Sequence, residues 1–456
     1  MSNTNALSVC LIVRNESQLL GECLDSVLTV ANQIVVVDTG SIDETVDVAK
    51  RHGAEIYYFK WCDDFAAARN ASIKYARGKW ILWLDADERL ETNSIKELNA
   101  IVQHSPTNCF YRVTLKNKTR ENGYHQITTS HRLFPNNKGF RFEGKIHEHV
   151  MPPKNKTNFC EVHSGIVLHH LGYALSDEAS ARKELRNRQL LEEVAKEYPN
   201  DAMAHFNLAQ HFDIYGRLKE AHEHYLKALG LVTSSSPMRA VIYNNLASLS
   251  VKKGEYEKAK FYAQKSIVEE PKQIGAYYHL YRVAYFTKNQ VEIVTWLSKL
   301  KEVSNQLKDS IPSLPADLFM DKDKISFTLA NVLYRQGKWS EARPILEELL
   351  DGKISKEEVL LLLADIALKE QDLKSAQFYL ESLVKINPNH FPAQKILAKL
   401  LIKQGNFFAA INTYEYLLLH SPEDLEILRH LAGLYGIVGN QEKASALAAL
   451  INGLRQ

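Results

Sequence analysis

Two carboxylates one residue apart, Asp85 and Asp87, close the apolar run Trp80-Ile81-Leu82-Trp83-Leu84. In a strand, residues i and i+2 point to the same side, so the pair is expected to project together where a buried strand leaves the core. Paired carboxylates suit a hard cation such as Mg2+, which takes oxygen ligands and keeps waters and substrate phosphates in its shell. In an open α/β sheet, ligands bind at the carboxyl ends of the strands. The competing reading is a polar turn in which Asp87 or Glu88 caps the next helix.

The elements needed to position such a pair precede it. Leu7 to Val13 is short, apolar and β-branched, and reads as a buried strand. Arg14-Asn15-Glu16-Ser17 breaks it, and Leu19, Leu20, Cys23, Leu24, Val27 and Leu28 follow at helical spacing. Ile34 to Val37 is a second strand ending in Asp38, followed by the turn Thr39-Gly40-Ser41 and a helix carrying Val46, Val48 and Ala49. Ala54 to Phe59 reads as a third strand, Phe65 to Tyr75 as a helix and Trp80 to Leu84 as a fourth strand. Strands alternating with helices imply a mostly parallel sheet. Right-handed crossovers then put Val13, Asp38 and Asp85 along one edge.

Acids recurring at strand ends weaken the capping reading. A carboxylate beyond a strand can accept from a ribose or a base, and the pair further on can hold a metal that bridges a pyrophosphate. Thr39-Gly40-Ser41 is not a Gly-x-Gly-x-x-Gly loop, and no Gly-Lys-Ser/Thr motif occurs. A dinucleotide oxidoreductase and a P-loop ATPase are therefore disfavoured. With 456 residues, two or more domains are expected. A net charge of +2 gives no field that would draw nucleic acid or an acidic membrane. Cys10, Cys23, Cys62, Cys109 and Cys160 have no paired spacing and fit a reducing cytoplasm. The polar start Met1–Asn5 has no signal-peptide pattern, and no run of about 18 apolar residues implies a membrane span.

Four stretches carry a resemblance: Val9 to Glu16, Val36 to Thr45, Phe65 to Asn70 and Leu84 to Glu88. In order and spacing they resemble family 2 glycosyltransferases of the GT-A fold, over roughly the first hundred residues. The resemblance implies transfer of a sugar from a nucleotide-sugar, most simply a UDP-sugar, with inversion and with Mg2+ or Mn2+. It implies donor contacts from Val13, Asn15, Glu16, Asp38, Arg69, Asp85 and Ala86, with Asp38 near uridine and Asp43 supporting the loop. Asp87 would hold the metal.

From Glu91 to Tyr173 the pattern is less regular, and a second, mostly antiparallel half is expected. Phe140 to His149 is dense in titratable groups. Inverting transfer needs a general base, for which Glu148 and Glu143 are candidates and His147 the alternative. Surface ion pairs of Glu143 and Glu148 with Arg141 and Lys145 are the other reading. Arg132-Leu133-Phe134, Gly144-Lys145-Ile146-His147-Glu148 and His170-Leu171-Gly172-Tyr173 resemble a subgroup with a helical-repeat tail. That subgroup includes sublancin-type peptide glycosyltransferases that modify cysteine or serine, and it implies that Lys145 lies near the donor sugar. His170 could complete a metal shell, since imidazole suits Mn2+ better than Mg2+; a structural histidine is the alternative.

Beyond Gly172, strand character stops and Asp177 to Glu197 reads as a strong helix. Ala342, Ala376, Ala410 and Ala444 recur every 34 residues, with Gly337, Gly405 and Gly439 in turns and Gln371 at the equivalent place. This is the tetratricopeptide period. The resemblance covers roughly residues 198–456, with a weak unit near 276–308 that lacks the Gly and Ala marks, and Asn305 to Asp323 reads as a loop on the acceptor side. The expected organisation is an α/β GT-A domain over 1–175 followed by an all-α solenoid over 176–456. Stacked helix pairs suit an extended peptide, a protein partner or a second copy of the chain. The expected acceptor is a peptide, a protein or a glycan. The competing readings are a tetratricopeptide adaptor with a catalytically inactive GT-A domain and an envelope or exopolysaccharide glycosyltransferase. Tyr277, Tyr278, Tyr281 and Tyr285, at helical spacing, read as core before they read as a sugar platform.

Overall fold

The computed structural model describes residues 6–118, 125–154, 159–171, 177–306 and 321–454. The first part runs β1 (Leu7–Val13), α1 (Ser17–Asp25), β2 (Gln33–Asp38), α2 (Thr45–Arg51), β3 (Glu55–Tyr58), α3 (Phe65–Lys74), β4 (Trp80–Trp83), β5 (Glu88–Leu90) and α4 (Ile95–His104). It continues through β6 (Cys109–Lys118), β7 (His125–Pro135), β8 (Arg141–Glu143), β9 (His149–Met151) and β10 (Cys160–His170). An eight-stranded sheet has the order β3-β2-β1-β4-β7-β6-β10-β5, with β8 and β9 forming a separate ladder.

β3, β2, β1 and β4 pair in parallel, as their helical crossovers require. β2 is buried along its whole length and β1 at all but one residue, which is why both read as unbroken apolar runs. Alternation splits them between two cores. Leu7, Val9, Leu11 and Val13 face one cluster with Leu20, Leu24 and Leu98. Cys10, Val35, Val37, Ile81 and Trp83 face the other with Phe134, Phe140 and Phe142. Val13 pairs with Asp38, and Cys10 with Trp83, so the strand ends share one edge.

The second half is mostly antiparallel, as expected. β7 is antiparallel to β4 and β6, and β5 to β10, but β10 runs parallel to β6. β4 ends at Trp83, so Asp85 to Asp87 form a turn rather than a strand extension. Neither Asp87 nor Glu88 caps a helix: Glu88 opens β5, and α4 begins at Ile95.

The rest is helical: α5 (Asp177–Glu197), α6 (Ala202–Ile214), α7 (Leu218–Leu231), α8 (Met238–Lys252), α9 (Tyr256–Glu269), α10 (Gly275–Phe286), α11 (Gln290–Gln306) and α12 (Lys322–Arg335). α13 (Trp339–Glu348), α14 (Lys356–Lys369), α15 (Leu373–Ile386), α16 (Phe391–Lys403), α17 (Phe407–His420), α18 (Leu425–Ile437) and α19 (Gln441–Gly453) complete it. Ala221, Ala259, Ala342, Ala376 and Ala410 are fully buried, where small side chains let paired helices approach. The intervening turns are left-handed: φ is +75° at Gly216, +74° at Gly254, +75° at Gly337, +76° at Gly405 and +82° at Gly439. Gln371, at +60°, takes the same conformation, as does Lys288, at +56°, in the unit without the Gly mark. Of the four tyrosines in α10, Tyr277 is buried and Tyr285 is 60% exposed, so they do not share one environment.

By compactness the chain forms two units, one holding Met1–Val283 and the other most of the remaining helices. The first of these units thus holds the first repeats together with the sheet. Most of the expected acceptor-side loop, residues 307–320, and Gly172-Tyr173 lie outside the described residues. No described helix is long and apolar enough to cross a membrane.

Candidate active site

The site is assembled at the strand edge around Trp83, the buried last residue of β4. The Arg69 guanidinium from α3 lies 3.6 Å over its ring, and that of Arg132 from β7 lies 5.1 Å away. Both arginines reach Asp85, Arg69 at 3.5 Å and Arg132 at 2.9 Å. Arg132 also holds the buried Glu88 at 2.5 Å, and the Asp85 amide donates to Glu88 Oε2 at 3.0 Å. Arg69 further pairs with Glu148, whose side chain is 5% exposed. One guanidinium therefore joins the strand-end acid to the titratable loop near residue 148.

These contacts set the acidities. Burial alone would raise the Asp85 carboxyl, but Arg69 and Arg132 overcome it and hold it below the usual range. Burial pushes Glu88 up to about 7 against the pull of Arg132. Burial likewise raises Glu148 against the pull of Arg69. Glu16 rises to about 7 through burial and then the charge of Asp87. The buried Nε atoms of Arg69 and Arg132 and Nε1 of Trp83 meet no acceptor among the described residues, a cost accepted mainly at functional sites.

Asp87 has a different partner from Asp85. Its Oδ2 lies 3.2 Å from His170 Nε2, and its carbonyl accepts from the Leu171 amide at 2.9 Å. The antiparallel β5–β10 register, with Glu88 opposite His170, brings this about. His170 Nδ1 lies 2.8 Å from Asn117 Oδ1, which orients the ring with Nε2 toward Asp87. The bond to Asp87 raises the His170 pKa. Asp87 and His170 offer two ligands to one point, a set that fits a cation completed by phosphate oxygens and waters. No group of three or more His, Cys, Asp or Glu with metal-binding geometry occurs among the described residues.

The other expected residues fall into three groups. Asp38 is buried and accepts from the Gly40 and Ser41 amides at 3.1 Å, so it shapes the loop after β2. Asn15 (φ +57°) accepts from Ile42, and the Val13 carbonyl accepts from Thr39. Asp43 ties that loop to Ser17 and Thr45, as expected. Ala86 is buried in the turn, where its carbonyl accepts from Arg89.

Gly144 to Glu148 is held from both sides. Asn70 of α3 exchanges two hydrogen bonds with the Phe142 backbone, and the Phe65 amide donates to the Lys145 carbonyl at 2.9 Å. Ile146 packs against the core of the first repeats. Gly144 (φ +100°) and His147 (φ +54°) make the left-handed bends that let the loop turn between them, and His147 is exposed. The Lys145 ammonium sits 2.6 Å from Glu197 of α5, an ion pair with the helical array. Glu143 forms the surface pair with Arg141, at 2.5 Å, that is its other reading.

Sequence reasoning gave no role to Arg132, Trp83 or Asn117, and read Glu88 only as a helix cap. Arg132 stood in a motif already noted, but its contact with Asp85 depends on β7 pairing with β4, which no local pattern encodes.

Residues 8–166 match glycosyl transferase family 2. Residues 333–400 match a tetratricopeptide repeat family and 161–325 the Iml2/tetratricopeptide repeat protein 39 family. A TPR repeat-containing protein of Synechococcus elongatus is 31% identical over 289 residues, covering 60% of this chain and 71% of that one. The SPbeta prophage-derived glycosyltransferase SunS of Bacillus subtilis is 25% identical over 364 residues, covering 78% of this chain and 83% of its own. An uncharacterized glycosyltransferase of Rickettsia conorii is 29% identical over 100 residues, covering 22% of this chain and 35% of its own.

Proposed function

Because the chain belongs to the family 2 glycosyltransferases with C-terminal tetratricopeptide repeats, we infer that it moves a sugar from a UDP-sugar to a peptide or protein side chain, with inversion. The observation that carries this reading is the Arg69 bridge between Asp85 and Glu148. It brings the donor edge and an acid of raised pKa to one point, as an inverting transfer requires. Glu148 takes the proton of the acceptor hydroxyl or thiol as that atom bonds to the anomeric carbon. The bond from that carbon to the diphosphate oxygen breaks, and its electron pair leaves with the diphosphate. His147, exposed on the same loop, is the alternative base.

Asp87 and His170 would hold Mg2+ or Mn2+, which when bound supplies positive charge against the departing diphosphate. Asp85, kept ionised by two arginines, sets the electrostatics beside them. Residues 1–175 form the catalytic part in this reading. The repeats hold the acceptor, since stacked helix pairs offer a concave surface to an extended peptide. The five free thiols accord with work in the cytoplasm.

The test is a panel of UDP-sugars with Mn2+, read by released UDP, with candidate peptides followed by mass spectrometry. Release that depends on the divalent ion and disappears in Asp87→Asn supports the reading. A protein that neither binds UDP nor releases it from any UDP-sugar overturns it.

A further inference from the structure

We propose that Cys109 and Cys160 form a redox-active thiol pair: a low-molecular-weight disulfide such as oxidised glutathione converts them to a reversible intramolecular disulfide that locks the start of the β6–β10 ladder.

Spacing along the chain hides the pair, because Cys109 opens β6 and Cys160 opens β10. The two strands run parallel with Cys160 opposite Cys109, and the Cys160 amide donates to the Asn108 carbonyl at 2.8 Å. Neighbouring strands lie about 4.8 Å apart, inside the Cα separation of roughly 4.4–6.8 Å that a disulfide spans. The two side chains also share a face of the sheet. Cys109 packs against the same core as Val162, which lies two residues on from Cys160 and so on its side of the strand. Neither sulfur is anchored elsewhere: Cys109 Sγ is 3.8 Å from Asn108 Oδ1, and Cys160 Sγ is 3.9 Å from the Glu161 carbonyl. Burial and then a hydrogen bond with Cys160 raise the Cys109 pKa. Cys160 is exposed and Cys109 partly so, whereas Cys10 and Cys23 are buried.

Cys160, the more exposed thiol, attacks first as the thiolate. Its sulfur bonds to one sulfur of the small disulfide, whose S–S bond breaks and releases one thiolate that takes up a proton. The Cys109 thiolate then attacks the Cys160 sulfur, the mixed disulfide breaks, and the second small thiol leaves. The protein has lost two protons and two electrons, and the oxidant has gained both. In-register strands hold their β carbons wider apart than the roughly 3.5–4.5 Å usual in a disulfide, so closure must draw the two strand starts together. A bond closed in this way and open to solvent is readily reduced again. In a compartment that keeps thiols reduced, such a pair acts as a transient sensor rather than a permanent staple.

The same ladder ends with Asn117 opposite His170, and a register shift between His163 and Val167 separates that end from the thiols. The disulfide therefore fixes the part of the ladder that precedes the shift. The experiment treats the reduced full chain with oxidised glutathione, blocks the remaining thiols with iodoacetamide and maps the peptides by mass spectrometry. Amide hydrogen exchange is followed on the oxidised and reduced forms. The expected product is a Cys109–Cys160 cross-linked peptide within one chain, lighter by two hydrogens and reopened by dithiothreitol. Cys62, exposed on the loop before α3, should end as a glutathione adduct and serves as the single-thiol comparison. Cys109→Ser should stop the reaction at the adduct on Cys160, and Cys160→Ser should abolish the cross-link. Oxidation should slow exchange at the starts of β6 and β10 by ~10-fold or more, because a cross-linked pair opens less often. Adducts or alkylation on both cysteines without a cross-link, or a bond formed only between chains, overturn the pair. A cross-link that leaves exchange in both strands unchanged overturns the lock.

Discussion

The strand edge and the repeat array use ion pairs in opposite ways. At the edge, Arg132 and Glu88 are enclosed together, 8% and 1% exposed, and Arg132 reaches from there to the part-exposed Asp85. In the array, pairs such as Lys395–Asp424 lie at the surface, with side chains 30% and 27% exposed. Buried charges cost desolvation and lock a geometry, whereas surface pairs are solvated and nearly neutral in energy. The edge therefore spends stability to place a few groups, and the array builds stability from repeated apolar contacts.

The largest effect expected from this contrast is on activity. Glu148→Gln keeps the size of the side chain and removes the base, so transfer should fall ~10²–10⁴-fold while UDP affinity changes little. Turnover equal to wild type would remove Glu148 from that role and leave His147 as the alternative. Next comes stability. Arg132→Met leaves the buried Glu88 without its cation and should cost ~3–5 kcal/mol in thermal or denaturant unfolding. Lys395→Met, the matching change in the array, should cost less than ~1 kcal/mol. Equal costs at the two places would break the distinction.

Glu16 gives the contrast a pH dependence. Its carboxyl is raised from 4.5 to about 7, so the folded state holds that proton more tightly than the unfolded chain does. The resulting stabilisation is complete below pH 4.5 and lost as pH climbs through 7. Glu16→Gln should match wild type at low pH and exceed it at pH 8 by on the order of 1–2 kcal/mol, after allowing for solvent screening. A Tm difference that does not change between those pH values would show that burial and Asp87 do not act on Glu16 in this way.

The two regions were also unequally legible. The parallel strands, their shared edge and the 34-residue period follow from local patterning, because each is set by residues a few places apart. The internal wiring of the site was not. Strand periodicity puts Asp85 and Asp87 side by side, yet β4 stops at Trp83 and the two diverge, one to Arg69 and Arg132 and the other to His170. Those partners arrive through β7 beside β4 and β10 beside β5, pairings that depend on the whole sheet. The pairing of Lys145 was hidden for a similar reason: its motif is local, but its partner Glu197 belongs to the helical array.

The smallest predicted effect tests whether the array's period is a backbone requirement or a matter of side chains. Gly337, Gly405 and Gly439 take φ near +80°, and Gln371 takes +60° at the same place in its unit. A left-handed backbone costs an L-residue ~1–2 kcal/mol relative to glycine, which has no Cβ to clash. Gln371 is exposed, so its side chain contributes little burial in return. Gln371→Gly should therefore stabilise the second unit by ~0.5–1 kcal/mol, the gain being reduced by the extra freedom of glycine in the unfolded chain. Gly405→Ala should destabilise it by a similar or larger amount, with no effect on the pH dependence that Glu16 gives the first unit. If Gln371→Gly destabilises instead, the turn is held by contacts of the glutamine, and the period is carried by side chains rather than by backbone.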